Sequence, residues 1–119
     1  MGRRSRRRAK QEDRPPAATT DYTDEDGNVL TLRDELSAGT LRSLRDLEAK
    51  PAASAEDRWQ RRAELLFERL AVRWVIADLP LEGQKELLGR YRLASSGERQ
   101  QVRATLAKHL AERHPEIDL

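Results

Sequence analysis

Residues 54–78 read S-A-E-D-R-W-Q-R-R-A-E-L-L-F-E-R-L-A-V-R-W-V-I-A-D, and this stretch dominates any prediction of the fold. It contains no Gly or Pro, and it holds both tryptophans and the single phenylalanine. Apolar residues recur in it at intervals of three and four; they are Trp59, Ala63, Leu66, Leu70, Trp74 and Ala77. Such spacing places side chains on one helical face, so it predicts a central helix over 55–77. The large side chains predicted to be most buried are Trp59, Leu66, Leu70 and Trp74.

Serine residues mark where two of the helices begin. Ser54, with Asp57 three residues later, approximates a capping box that opens the central helix. Ser95 with Glu98 matches the S-x-x-E form of that motif before the last apolar periodic segment. Together with the proline stops, these signals predict further helices over about 40–49, 82–94 and 97–113.

The segment before the first helix has the pattern of a β-hairpin. The D-G pair at 26–27 is a strong turn signal, and the β-prone run V-L-T-L follows it. The pattern predicts a hairpin over 21–33 in which Leu30 and Leu32 face the core and Thr31 faces outward.

Charge divides the chain into a basic start and an acidic remainder. The first 14 residues carry seven Arg or Lys against two acidic residues, whereas the rest carries 16 basic and 19 acidic residues. Residues 1–20 lack a large apolar group after Met1, so they predict a disordered basic tail. The whole pattern predicts a mainly α fold: one helical domain over 21–119 with about four helices and one N-terminal β-hairpin.

The residue types of reaction chemistry are sparse. The chain has no cysteine, and His109 and His114 are about 140° apart on a helix, so they do not share a metal-binding face. If Gly27 were the sixth position of a calcium loop, Tyr22 and Arg33 would occupy the first and last ligand positions, where they cannot serve. The sequence therefore predicts a non-enzymatic protein with no catalytic residue, cofactor or metal. The short apolar runs predict a cytoplasmic protein without a membrane segment.

Arginines on the predicted central helix are candidates for a protein-binding surface. Arg62, Arg69 and Arg73 would lie within about 40° of one another between two apolar strips. One interpretation is a solvated face whose arginines pair with neighbouring carboxylates. The other is a surface for a partner protein, formed with exposed parts of the leucine-bearing helix at Leu41 and Leu44.

The basic tail offers an alternative function. Its arginine run consists of Arg3, Arg4, Arg6, Arg7 and Arg8. Such a run attracts phosphate without sequence specificity, and no aromatic residue is interleaved for base stacking. The alternatives are a solvated tail and a small helical nucleic-acid-associated regulatory protein.

Three stretches resemble the small tail assembly chaperones of long-tailed bacteriophages. They are D-E-D-G-N-V-L-T-L-R at 24–33, L-S-A-G-T-L-R-S-L at 36–44 and E-L-L-F-E-R-L-A-V-R-W at 64–74. The resemblance implies a helical protein from a phage or prophage tail gene cluster. It further implies that the protein binds and solubilises the tape measure protein and recruits tail-tube subunits, with homo-oligomerisation possible. The basic tail is not part of this resemblance.

Overall fold

The structure is a computed structural model that describes residues 18–51 and 54–117. Its elements are β1 (Thr19–Thr23), β2 (Val29–Arg33), α1 (Ala38–Ala49), α2 (Ala55–Leu70), β3 (Ala71–Ile76), β4 (Leu79–Glu82), α3 (Gln84–Leu93) and α4 (Ser96–Arg113). The strands form one antiparallel sheet in the order β1-β2-β3-β4. The chain is therefore an α+β protein, and the predicted mainly α fold with one N-terminal hairpin is wrong.

The main correction lies where the predicted central helix was expected to continue. α2 ends at Leu70, and Ala71 already has an extended backbone, with φ −68° and ψ 126°. The residues that follow include Val72, Val75 and Ile76, whose branched side chains favour strands. Because β3 pairs with β2 on one side and β4 on the other, its backbone groups are bonded without a helix. The predicted helix over 55–77 is thus a helix followed by a strand.

β3 and β4 are joined by a turn of only two residues. Ala77 and Asp78 both have positive φ, at 50° and 65°. Such a pair fits the tight turn that best joins two antiparallel strands, although Asn-Gly is its usual sequence. Asn28, from the turn between β1 and β2, accepts a hydrogen bond at Oδ1 from the Ala77 N–H at 3.0 Å. The two turns therefore lie side by side at one end of the sheet.

β1 and β2 form one half of the sheet. β1 begins at Thr19, two residues before the predicted start of the folded domain, while residues 1–17 lie outside the described ranges. Leu30 and Leu32 are buried, which confirms the predicted alternation along β2. The bounds of α1, α3 and α4 lie within two residues of the predicted helices over 40–49, 82–94 and 97–113.

All four helices cover the same face of the sheet. One core cluster contains Leu30, Leu32, Leu44, Leu66, Phe67, Leu70, Ala71, Trp74, Leu87, Tyr91, Val102, Leu106 and Leu110. Phe67 is central to it, stacked on Tyr91 with ring centroids 4.8 Å apart and edge-on to Trp74 at 5.7 Å. On the opposite face, described side chains of the two middle strands, such as Thr31 and Arg73, are not buried. None of the helices in the described ranges is long and apolar enough to cross a membrane.

Trp59 does not belong to this core. Its side chain is 37% exposed, whereas Leu66 and Leu70 are fully buried and Trp74 is 5% exposed. The prediction of deep burial is therefore wrong for Trp59 and confirmed for the other three. Trp59 lies in the first half of α2, and the Arg103 guanidinium of α4 lies 4.0 Å from its ring centroid. The tryptophan thus makes a cation–π contact at the surface.

Candidate functional site

The predicted arginine strip is not formed, because Arg62 and Arg69 lie on α2 whereas Arg73 lies on β3. Arg62 forms an ion pair with Glu48 of α1. Arg69 is exposed near the end of α2, and Arg73 lies on β3, where its Nε is 3.5 Å from Glu82. The break between α2 and β3 separates the arginines that a continuous helix would have aligned.

The two leucines of α1 are not fully exposed. Leu44 is only 5% exposed and belongs to the core cluster, and Leu41 is half-buried. The alternative nucleic-acid site from Arg3 to Arg8 lies outside the described residues. The predicted protein-binding set therefore supplies Arg69 and Arg73 as exposed side chains, one on α2 and the other on β3.

Both histidines have a structural task that their spacing did not suggest. The Nε2 atoms of His109 and His114 lie 2.7 and 2.8 Å from the backbone oxygens of Arg33 and Asp34. A carbonyl only accepts, so each Nε2 carries a proton and donates. The two side chains thereby fasten α4 to the end of β2. If the two histidines had been considered as hydrogen-bonding residues rather than as metal ligands, the sequence could have indicated this structural task.

His109 also connects α4 to β1. It is fully buried, and its Nδ1 lies 2.8 Å from the Tyr22 hydroxyl, with the two rings edge-on at 5.5 Å. Burial raises the pKa of Tyr22, and the Glu112 carboxylate raises it further. The raised pKa keeps the hydroxyl protonated, so it can donate to Nδ1 of His109. This contact holds the inner face of β1 against α4.

The outer side of β1 is an open sheet edge. Ala18 accepts a backbone hydrogen bond from Asp34, and Asp24 donates one to Asn28, both at 2.9 Å. Bonded and non-bonded pairs alternate along an antiparallel ladder, so the even-numbered residues of β1 bond to β2. The odd-numbered residues Thr19, Asp21 and Thr23 consequently point their N–H and C=O groups away from the sheet. We call these groups the β1 edge; no described residue hydrogen-bonds to them.

The opposite edge of the sheet is closed to such pairing. Ile76 and Leu79 flank the two-residue turn, so Pro80 and Glu82 are the residues of β4 that face outward. Proline has no N–H to donate, and it is tolerated on strands mainly at such edges. With four residues, a proline and a charged side chain, β4 has the features by which proteins prevent strand addition. β1 has one of these features, the charge of Asp21.

A cleft opens at the end of the sheet where β1 begins. Its volume is about 920 Å³. The lining comes from β2, β3, β4, three helices and the segments beside them, and consists of Ala18, Arg33, Glu35, Leu36, Ser37, Thr40, Glu68, Arg69, Ala71, Val72, Glu82, Gly83 and Gln84. Charges of both signs and a few apolar side chains share this end cleft. Ala18 lies at its margin and Thr19 is the first residue of the β1 edge, so the two features are continuous.

The acidic turn between β1 and β2 is closed by its own side chain. Asp24 Oδ1 accepts from the backbone N–H groups of Asp26 and Asn28, each at 2.9 Å, and Gly27 supplies the required positive φ of 82°. One oxygen of Asp24 is therefore committed to the turn. Within the described ranges, no group of three or more His, Asp or Glu residues is placed to hold a metal ion.

Fold and site together define a two-layer α+β protein with one open sheet edge beside a cleft of mixed charge. Comparison of the chain with protein-family models, curated proteins and solved structures finds no match. Its own geometry and the residue resemblance described above therefore bear on its function.

Proposed function

We propose that this chain is a non-enzymatic protein-binding factor that accepts an extended segment of a larger partner as a fifth strand on β1. The observation that carries the proposal is the asymmetry of the sheet. β1 presents three outward-facing residues with intact N–H donors, whereas Pro80 removes a donor from the β4 edge. Strand addition at an open edge is a recurrent way of binding extended peptides.

The energy available at one such site is modest. Each net hydrogen bond contributes about 0.5–1.5 kcal/mol, and the partner loses conformational entropy when it becomes a strand. A single copy therefore binds weakly through β1 alone. Several copies along one extended partner gain affinity through their combined contacts, which favours a stoichiometric rather than a catalytic role.

The finer proposal is a tail assembly chaperone that keeps the tape measure protein soluble. It rests on the resemblance of residues 24–44 and 64–74, and an open strand edge suits a protein that holds an unfolded partner. The resemblance implied a helical body, however, whereas the described chain combines its helices with a four-stranded sheet. The tape measure protein and the tail-tube subunits are thus proposed as partners, and the phage origin is proposed as well. Coexpression tests these proposals.

The nucleic-acid alternative depends on Arg3 to Arg8. The described ranges contain 16 Arg or Lys and 18 Asp or Glu, so the folded body does not add to the attraction for phosphate. DNA binding that weakens steeply with salt and vanishes on deletion of residues 1–14 would favour that alternative.

The test of the chaperone proposal is coexpression with the tape measure protein of the same gene cluster. The wild-type chain is expected to raise the soluble fraction of that partner and to copurify with it. Thr23→Pro removes an outward N–H that β2 does not use, so binding should fall while the fold persists. Glu82→Pro is the matched control, because it removes an outward N–H from the β4 edge.

Two outcomes would contradict the proposal. One is a partner that stays insoluble with the wild-type chain. The other is equal loss of copurification in Thr23→Pro and Glu82→Pro when both variants show the circular dichroism spectrum of the wild type, because β1 would then have no special part in binding.

A further inference from the structure

Resting on the proposed function, we infer that the segment accepted by β1 carries a basic side chain opposite Asp21. The site thereby selects the charge of one side chain on the outer face of the partner strand. The inference follows from the charges that surround β1 on its outer face.

On the outer face, Asp21 is the unmatched charge of its row. Cross-strand pairing continues from Asp21 to Thr31, Arg73 and Glu82. Thr31 donates its hydroxyl to Asp21 Oδ1 at 2.7 Å, and Arg73 is already paired with Glu82. No cation among the described residues forms an ion pair with Asp21.

A fifth strand would place one side chain directly opposite this carboxylate. Neighbouring strands lie about 4.8 Å apart, whereas Arg73 is two strands away from Asp21. Opposite charges in directly facing positions stabilise a sheet, and like charges destabilise it. Lys or Arg is therefore favoured at that position of the partner, and Asp or Glu is disfavoured.

A basic side chain is not favoured at the other outer-face positions of the incoming strand. Thr19 faces Arg33 across the first ladder, so a basic residue added beside Thr19 would meet a further positive charge in the same row. Thr23 faces Val29, which in turn faces Val75. A polar residue beside Thr19 and a β-branched residue beside Thr23 suit these two rows.

The inner face of β1 is flanked by charges of both signs. Arg113 Nη2 donates to Thr20 Oγ1 at 3.0 Å, and Lys108 Nζ lies 6.0 Å from the Tyr22 ring centroid. Arg113 is already paired with Asp34 at 3.2 Å, and the Glu112 carboxylate acts on Tyr22 from the same helix. The inner face therefore sets no preference for the charge of the incoming strand.

The experiment compares two synthetic strand peptides of alternating Thr and Val that differ only in a central Lys or Glu. Each is titrated into the full chain while the amide signals of β1 are followed by NMR. We expect the Lys peptide to bind about five- to tenfold more tightly than the Glu peptide, and high salt should reduce this preference. Asp21→Lys should reverse the order of the two peptides.

Control variants separate the charge from the fold. Asp21→Asn keeps an acceptor for Thr31, so it should abolish the preference while both peptides still bind. Asp46→Asn removes an exposed charge from α1, away from the sheet, and should leave the preference unchanged.

The outcomes distinguish the two proposals. Equal binding of the two peptides, or tighter binding of the Glu peptide, overturns the charge selection and leaves strand addition intact. If neither peptide perturbs or protects the β1 amides at concentrations up to about 1 mM, strand addition fails and the selection fails with it.

Discussion

Phe67 and Trp59 lie about two turns apart on α2 in very different surroundings. Phe67 is fully enclosed between Tyr91 and Trp74, while Trp59 is 37% exposed and covered on one side by Arg103. The apolar spacing in the sequence included Trp59 and left out Phe67, and it does not say where the sheet beneath the helix stops. The deepest aromatic residue is thus the smaller one, and size alone was a poor guide to burial.

This difference predicts unequal costs of truncation. Phe67→Ala is expected to lower the free energy of unfolding by about 3–5 kcal/mol, because it leaves a cavity among packed rings. Trp59→Ala should cost about 1 kcal/mol, mainly the lost cation–π contact. Urea denaturation of both variants measures the two costs. Equal losses would show that Trp59 is a core residue after all.

At the scale of elements, the sequence predicted the helices well and missed half of the sheet. Helix starts are determined by neighbouring residues. One example is the cap Ser54, whose Oγ accepts from the Asp57 N–H at 3.0 Å. β3 depends on partners distant in sequence, and its turn lacks the usual Asn-Gly signal. The burial of Trp74 did not distinguish a helix from a strand, because its side chain faces the core in either one. The β1 edge could not be predicted for the same reason, because an edge exists only relative to a sheet.

Ala77 distinguishes the observed turn from the predicted helix. Ala77→Gly is expected to raise the free energy of unfolding by about 1 kcal/mol, because a residue with a side chain is strained at φ 50°. Ala104→Gly, the same substitution within α4, should lower it by about 1 kcal/mol. Chemical denaturation reports both changes. If Ala77→Gly destabilises the protein as much as Ala104→Gly, the helix continues through residue 77 and β3 is wrong.

The capping box of α4 predicts a dependence on acid. Ser95 Oγ accepts from the Glu98 N–H at 3.1 Å, and the Glu98 carboxylate accepts from Arg90 at 2.8 Å. The bond from Arg90, and then that from the Ser95 backbone, lower the pKa of Glu98 from its ordinary value of 4.5. Stability from the ionised carboxylate is therefore present above 4.5 and is lost as the pH falls through the lowered value.

Glu98→Gln tests this linkage. The variant should be less stable than the wild type near neutral pH, and the difference should shrink as the pH falls through the lowered pKa of Glu98, where the wild-type carboxylate becomes protonated. Denaturation curves at a series of pH values measure it. A difference that stays constant down to acid pH would mean that the ionised carboxylate adds nothing to the cap.

At the scale of the whole molecule, the four helices of the described ranges are gathered on one face of the sheet. The two edges are unequal, since β4 is short and contains Pro80, while β1 offers three outward donors. The histidine contacts to the end of β2, and the His109 contact to Tyr22, hold β1 in place from within. An edge strand that is held in place and has one unpaired side is a prepared surface for an extended partner.

Amide hydrogen exchange along β1 tests the central claim most directly. In the free protein, the amides of Thr19, Asp21 and Thr23 are expected to exchange fast and those of Thr20 and Tyr22 slowly, because only the latter two bond to β2. In the complex with the coexpressed partner, all five should become slow. Slow exchange of all five in the dilute free protein, or fast exchange of the three edge amides that persists in the complex, would contradict the account.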